Sequence, residues 1–205
     1  MLAAIFHGIF LAFGLIIPLG AQNVFVFNQG AVQARFRGAV PVVITAGLCD
    51  TLLIVLAILG VSVIVLTMPI LQVILFAVGF LFLLYMGWTV WNSKPPEANK
   101  NEKPLSPKKQ IMFALSVSLL NPHAIIDTIG VIGTSSLSYQ GAEKAAFGLS
   151  TILISWMWFF GLATAGKIVG NIDTEGRLVY IINKISALII WGVAIYIAYL
   201  LFKMI

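Results

Sequence analysis

Two carboxylates deep in apolar segments are the residues of this sequence best suited to chemistry. Asp50 and Asp127 are the members of its seven acidic residues that fall inside long apolar runs, and no lysine or arginine lies at the centre of such a run. An aspartate at the centre of a bilayer costs about 2.5–3.5 kcal/mol on insertion scales, so both side chains should face the interior of a helix bundle. There they can stay protonated, bind a cation, or alternate between these states.

The alternating behaviour predicts a proton-coupled carrier of cations. A simpler interpretation of each aspartate is a protonated side chain that makes a structural hydrogen bond. Two other function classes also use membrane carboxylates, namely a cation channel and an intramembrane aspartyl protease. The Tyr-Asp and Gly-x-Gly-Asp signatures of that protease class are missing around both aspartates. A carrier is therefore the favoured interpretation, with the channel and the protease as alternatives.

Two proline motifs lie in the same kind of apolar segment. The first is Pro18-Leu19-Gly20-Ala21-Gln22-Asn23, and the second is Asn121-Pro122-His123, which is followed by Asp127. Proline removes an amide donor from a helix, and broken helices persist in lipid where they line a cavity or another helix. We therefore predict helix breaks at Pro18, Gly20 and Pro122, and a polar cavity beside them.

The side chains near these breaks predict a binding site. His123 precedes Asp127 by four residues and titrates near neutrality, which suits a proton relay, although it could instead cap backbone freed by Pro122. Trp156 lies in the middle of a span. Its ring could face the alkyl chain or the cation of a substrate, or it could pack against neighbouring helices. Proton coupling is assigned to Asp50, Asp127 and His123. Predicted substrate-binding residues are Asp50, Asp127, Asn23, Gln22, Asn121 and Trp156.

The composition requires that these residues be carried on membrane helices. Of 205 residues, 60% are hydrophobic and 9% are charged, whereas about a quarter are charged in soluble domains. Lipid accepts apolar side chains on the outside of a protein, so the bilayer is the fitting solvent. The single cysteine, Cys49, excludes an intrachain disulfide. No nucleotide-binding loop or Cys/His ligand cluster occurs, so we expect no cofactor, no metal and no enzyme activity.

Long apolar runs predict six transmembrane helices in an all-α integral membrane fold. The spans are Leu2 to Asn28, Ala39 to Gly60, Val61 to Trp91, Gln110 to Gly133, Ala145 to Gly166 and Ile182 to Phe202. Positive charge marks cytoplasmic loops, and an N-out, C-out topology leaves only Lys144 and Lys203 outside. It places the other basic residues inside, namely Arg35, Arg37, Lys94, Lys100, Lys103, Lys108, Lys109, Lys167, Arg177 and Lys184. This distribution explains the net charge of +5 without a nucleic-acid partner.

A polar, lysine-rich linker at residues 92–109 separates two halves, 1–91 and 110–205, of three spans each. Three is an odd number, so the halves enter the membrane in opposite orientations, as in many secondary transporters. Placing Pro18 on Pro122, 104 positions later, also places Asn23 on Asp127. We therefore predict two inverted three-helix repeats, whose first and fourth spans are broken.

At these residues the sequence resembles the LysE/ArgO family of amino-acid exporters. The matching stretches are Pro18 to Asn23 with Gln29-Gly30, Cys49-Asp50, and Asn121-Pro122-His123 with Asp127-Thr128. The resemblance covers essentially the whole chain. It implies antiport or potential-driven export of lysine or arginine across the bacterial inner membrane, with protons and lipid as partners and a homodimer left open. Because the superfamily also includes metal-ion and other carriers, another small solute is the alternative substrate.

Overall fold

The computed structural model describes residues 1–16, 20–60, 69–92, 104–120, 125, 127–173 and 177–204. Within these ranges every regular element is helical, which confirms the all-α prediction there. The helices are α1 (Leu2–Ile16), α2 (Ala21–Val32), α3 (Val40–Ile58), α4 (Pro69–Trp91), α5 (Pro107–Leu119), α6 (Gly133–Ser136), α7 (Gly141–Ile172) and α8 (Arg177–Met204). A 3-10 turn covers Phe36–Gly38, and a π-helical turn covers Asp127–Ile132.

Three of these helices are long and apolar enough to cross a membrane, in the part of the chain that the structure describes. They are α3, α7 and residues Tyr180–Lys203 of α8, and the bent pair of α1 and α2 passes the same test as one broken span. Helix α7 has 32 residues, which at 1.5 Å per residue is about 48 Å and exceeds a hydrocarbon core of about 30 Å. Its ends therefore extend beyond the predicted span of Ala145 to Gly166.

The first span is broken, as its proline motif predicts. Helix α1 ends at Ile16, α2 begins at Ala21, and the two axes are inclined by 80°. Gly20 precedes α2 in an extended conformation (φ −79°, ψ 172°), whereas Pro18 lies outside the described residues. The predicted single span is thus two helices, and the second continues to Val32.

The fourth span is also discontinuous in its described parts. Helix α5 ends at Leu119, and a π-helical turn begins at Asp127. Pro122, which was predicted to break this span, lies outside the described residues. In its described parts, the predicted span of Gln110 to Gly133 therefore changes from an α-helical to a π-helical hydrogen-bond pattern.

Helix α7 runs in the same general direction as α1 and α2, whose axes are inclined to each other. Gly8 of α1 faces Phe147 near the start of α7, and Ala31 of α2 faces Gly170 near its end. By contrast, α3 runs antiparallel to α7, because Gly47 contacts Trp156 whereas Ile58 contacts Gly148. Helix α7 therefore packs between the broken first span and α3.

The remaining long helices also pair in defined directions. Helices α4 and α8 are antiparallel, since Trp91 lies beside Lys184 and Leu84 beside Trp191. Helices α5 and α3 are parallel. Gln110 at the start of α5 bonds the Gly38 carbonyl just before α3, and Ser118 lies beside Cys49 further along.

A buried polar network closes the end of the bundle that carries Arg35, Arg37, Lys108 and Lys109. Lys167 Nζ donates to the Gln33 carbonyl at 2.9 Å. Gln33 Nε2 and Gln110 Nε2 both donate to the Leu105 carbonyl, at 3.2 and 2.9 Å. The network draws these basic segments to one end. At the other end the Met1 amino group pairs with Glu143, and His7 Nδ1 lies 2.8 Å from the Tyr139 hydroxyl oxygen.

Small residues let α2 and α7 approach closely. A Cβ added at Gly166 would overlap the Phe27 carbonyl, and one at Gly170 would overlap that of Ala31. Likewise, a Cβ on Gly30 would overlap the Ala163 backbone. Membrane helices associate through such close packing, because lipid supplies no hydrophobic force between them.

We predict that Gly166→Ala lowers the melting temperature of the detergent-solubilised protein by several degrees, because overpacking costs about 1–3 kcal/mol. Gly161→Ala is the matched control, since a Cβ there meets no other part of the protein within 4 Å and alanine favours a helix. Thermal unfolding followed by circular dichroism measures both. Equal melting temperatures for the two variants would contradict the close α2–α7 contact.

Candidate functional site

Asp50 lies on the face of α3 that is turned towards the bundle. The exposed apolar side chains of α3 form one stripe, made of Ile44, Leu48, Leu52, Val55 and Leu59. At about 100° per residue, Asp50 lies on the opposite side of the helix from this stripe. It is nevertheless only half-buried, so its accessible surface faces the interior of the bundle and not lipid.

Two neutral side chains donate hydrogen bonds to the Asp50 carboxylate, one to each oxygen. Gln22 Nε2 lies 3.2 Å from Oδ1, and Ser155 Oγ lies 2.7 Å from Oδ2. Gln22 is 9% exposed and Ser155 is 3% exposed. The site thus joins α2, α3 and α7. A carboxylate can accept about four hydrogen bonds, so with the donors among the described residues one acceptor position is left on each oxygen.

Trp156, the residue after Ser155 in α7, also packs against α3. Its indole Nε1 donates to the Thr51 hydroxyl at 3.0 Å, and that hydroxyl donates to the Gly47 carbonyl at 2.7 Å. A Cβ at Gly47 would lie 2.7 Å from the indole ring, so only glycine leaves room for it. These contacts favour the packing interpretation of Trp156, while contact with substrate stays a prediction.

Asn23 holds the broken first span together. Its Nδ2 donates to the carbonyl of Ile16, the last residue of α1, at 2.7 Å. The side chain is 6% exposed. A helix end in an apolar bundle needs partners for its carbonyl groups, and Asn23 supplies one of them. The amide thereby positions Gln22, its neighbour, beside Asp50.

The second proline motif is described only in part. Asn121, Pro122 and His123 lie outside the described residues, and for Asp127 the structure describes the backbone alone. Asp127 opens the π-helical turn, which packs against α3. Ile125 is in a buried cluster with Leu53, one turn beyond Asp50. The backbone near Asp127 therefore lies close to the helix that carries Asp50.

The sequence does not predict Ser155 or Thr51 as residues of this site. Serine and threonine in membrane helices commonly bond a carbonyl of their own helix, so a hydroxyl in an apolar run is a weak signal. The contact between positions 50 and 155 depends on how α3 and α7 cross, and no local pattern encodes that crossing. The repeat provides the only signal, since Trp156 is near the position where Asp50 maps in the second half.

A bundle of apolar helices that holds a half-buried carboxylate on its inner face defines a multi-pass membrane protein with a polar interior, the class to which transporters belong. A profile of the LysE type translocator family matches residues 13–201. The chain belongs to that family, which confirms the resemblance seen in its motifs. It is accordingly a multi-pass protein of the bacterial inner membrane, in a family of transporters.

Several bacterial proteins resemble this chain over almost its whole length. It is 57% identical over 199 residues to the protein named "Putative amino-acid transporter YisU" of Bacillus subtilis (strain 168), covering 97% of this chain and 90% of that protein. It is 31% identical to the Arginine exporter protein ArgO of Escherichia coli (strain K12), covering 97% and 94%. The ArgO protein of Pectobacterium carotovorum (strain PC1) is also 31% identical, with 97% and 98% covered. No solved structure matches the chain.

We predict that Asn23→Ala destabilises the protein by about 1–3 kcal/mol, because it leaves the Ile16 carbonyl without this donor in an apolar setting. Asn92→Ala is the matched control. Asn92 Nδ2 also donates to a backbone carbonyl, that of Trp88, but it is exposed. Unfolding in a graded denaturing detergent measures both variants, and equal losses of stability would show that the Ile16 bond is not important for the bend.

Proposed function

We propose that this protein is a secondary active exporter of basic L-amino acids, arginine and lysine, across the bacterial inner membrane. The observation that carries the proposal is the half-buried Asp50 carboxylate, which faces the bundle and whose two hydrogen-bond partners are both uncharged. Neutral donors orient a carboxylate without neutralising it. A cation entering the bundle would therefore meet a negative charge that these two donors do not neutralise.

The hydrogen bonding of Asp50 suits the head group of arginine. In the part of the chain that the structure describes, each carboxylate oxygen receives one protein donor, which leaves one acceptor position on each. A guanidinium presents two parallel N–H groups in a rigid fork, and it binds a carboxylate through both oxygens. An ammonium, as in lysine, is a point charge and can use either position. The names of the two ArgO relatives also favour arginine.

The other predicted site residues are assigned supporting roles. In our proposal Asp127 provides a second carboxylate for the substrate or for a proton, and His123 relays that proton. Gln22, Asn23 and Asn121 bind the carboxylate and amino groups of the amino acid as amide donors and acceptors. Pro18, Gly20 and Pro122 create the breaks that leave backbone groups available there.

Alternating access follows if residues 1–91 and 110–205 are inverted repeats joined by the linker 92–109. In such a repeat α3 corresponds to α7, and the broken first span corresponds to the fourth span. Exchanging the halves would therefore turn the pair of α7 and the first span into the pair of α3 and the fourth span, and both pairs are parallel. It would return the antiparallel pairs α3–α7 and α4–α8 to themselves. The pairs of helices that contact each other have this pattern, which supports the proposal.

Contacts at the repeat spacing give further support. Gly87 and Trp191 touch and are 104 positions apart, which equals the repeat spacing. Asp50 and Ser155 are 105 positions apart, so Ser155 is the neighbour of Ile154, the repeat equivalent of Asp50. Residues that contact their own repeat equivalents, or a neighbour of them, lie close to the axis that exchanges the halves. The proposed axis would therefore pass beside Asp50, so rocking of the halves would open this carboxylate alternately to each side.

We propose an N-out, C-out orientation and predict opposite labelling of two exposed serines. Ser106 lies beside the basic segment that contains Lys108, and Ser138 lies at the opposite end near Glu143. Ser106→Cys should react with a membrane-impermeant maleimide only in inside-out vesicles. Ser138→Cys should react only in cells whose inner membrane is intact and whose outer envelope layers have been removed. The native Cys49 is buried, so the unmodified protein gives the background. The reverse pattern would overturn the orientation.

The central prediction concerns Asp50→Asn, which removes the charge and keeps the shape of the side chain. In proteoliposomes, arginine efflux should fall at least tenfold in this variant, and Asp127→Asn should also reduce it. Wild-type efflux should depend on the pH gradient or the membrane potential. Glu143→Gln is the matched control, because it makes the same chemical change at an exposed position, and it should retain wild-type transport.

Other outcomes would favour the alternatives. Currents far exceeding the rate of a carrier, without coupled proton movement, would indicate a channel. Peptide cleavage that is lost in both aspartate variants would indicate a protease. If the folded wild-type protein moves neither arginine nor lysine, the substrate assignment is wrong and another small solute must be sought.

A further inference from the structure

We infer that Ser155 is a positioning residue that holds the Asp50 carboxylate in the orientation required to bind a cation. The inference rests on the proposed function, because it concerns the same site. It extends the predicted site to a residue on the other half of the chain, whose role is to orient the acidic group and not to contact the substrate.

Ser155 differs from the other hydroxyl residues of α7 in its hydrogen bond. Thr151 and Ser150 both donate to the Phe147 carbonyl, and Thr164 donates to that of Phe160, all within α7. Such bonds to the same helix are the usual solution for a hydroxyl in an apolar helix. Ser155 instead donates across the helix interface to Asp50 at 2.7 Å.

The residues next to Ser155 fix its position. Trp156 is bonded to Thr51 and packed on Gly47, so α7 cannot rotate or slide along α3 without breaking these contacts. Ser155 is 3% exposed, so its hydroxyl is shielded from bulk water. In this conformation the Ser155 hydroxyl is therefore presented to Asp50 from a tightly packed interface.

This bond controls which acceptor positions remain for a ligand. With Gln22 on Oδ1 and Ser155 on Oδ2, the carboxylate cannot rotate about its terminal bond without losing a donor. A ligand that binds both oxygens then meets a group that is already oriented, which reduces the ordering cost of binding. Removal of the Ser155 hydroxyl should weaken cation binding more than it slows the movement of the halves.

The test compares Ser155→Ala with Ser155→Thr in proteoliposomes that export arginine. Ser155→Ala should raise the KM for arginine about tenfold, equivalent to about 1.4 kcal/mol, while the maximal rate per folded transporter changes less than about twofold. Ser155→Thr keeps the hydroxyl and should restore the KM. If its added methyl group prevents folding, Ser155→Cys supplies a weaker donor and should give an intermediate KM.

Two controls separate positioning from a general structural effect. Ser150→Ala removes another buried hydroxyl of α7, five residues away, and should leave the KM unchanged. Citrulline has the shape of arginine without its charge, so the preference for arginine over citrulline should fall in Ser155→Ala alone. Melting temperatures in detergent identify the folded fraction of each variant.

The outcomes are distinguishable. A wild-type KM in Ser155→Ala, a loss of maximal rate alone, or the same KM change in Ser150→Ala would each overturn the role of Ser155 while leaving arginine export intact. Failure of the wild-type protein to export arginine would overturn both this inference and the proposed function. A raised KM that Ser155→Thr or Ser155→Cys reverses would support it.

Discussion

The hydrogen bonds from Gln22 and Ser155 to Asp50 impose a geometric constraint on the bundle. A carboxylate on an apolar helix must have donors or solvent beside it, and the donors here are the short side chain of Ser155 and the longer one of Gln22. Helix α7 must therefore approach α3 closely, whereas Gln22 reaches Asp50 from α2. The bend after Ile16 and the antiparallel crossing of α3 and α7 are two ways in which the chain meets this requirement.

Glycine is what makes the required approach feasible. Gly30 and Gly166 bring the backbones of α2 and α7 into contact, and Gly47 admits the Trp156 ring against α3. In lipid, packing of this kind provides much of the association between helices, because apolar side chains gain little by leaving lipid for protein. The polar site and the close packing thus depend on each other, since a looser bundle would leave Ser155 out of reach of Asp50.

The sequence predicts the parts of this arrangement that depend on local chemistry. The break between Ile16 and Ala21 is expected from the proline motif that begins at Pro18. The inward orientation of the Asp50 side chain is expected from the cost of a charge in lipid. The ends of α7 extend beyond the predicted span, because hydropathy detects only the part within hydrocarbon. Ser155 could not be predicted, since its hydrogen bond depends on the register of two helices about a hundred residues apart. The inverted repeat stays a prediction that the choice of helix pairs favours.

If the halves are exchanged by an axis beside Asp50, the two residues that meet there are chemically unlike. A carboxylate comes from the first half and a hydroxyl from the second. Two aspartates at that point would repel each other, and one would take up a proton to relieve the repulsion. A serine avoids this and leaves a single negative charge at the crossing, oriented by a donor that moves with the opposite half. Because the donor and the charge belong to different halves, rocking of the halves would change the orientation of the carboxylate. The affinity for a cation would then differ between the two states of the carrier, which is the condition under which a ligand and a conformational change are coupled.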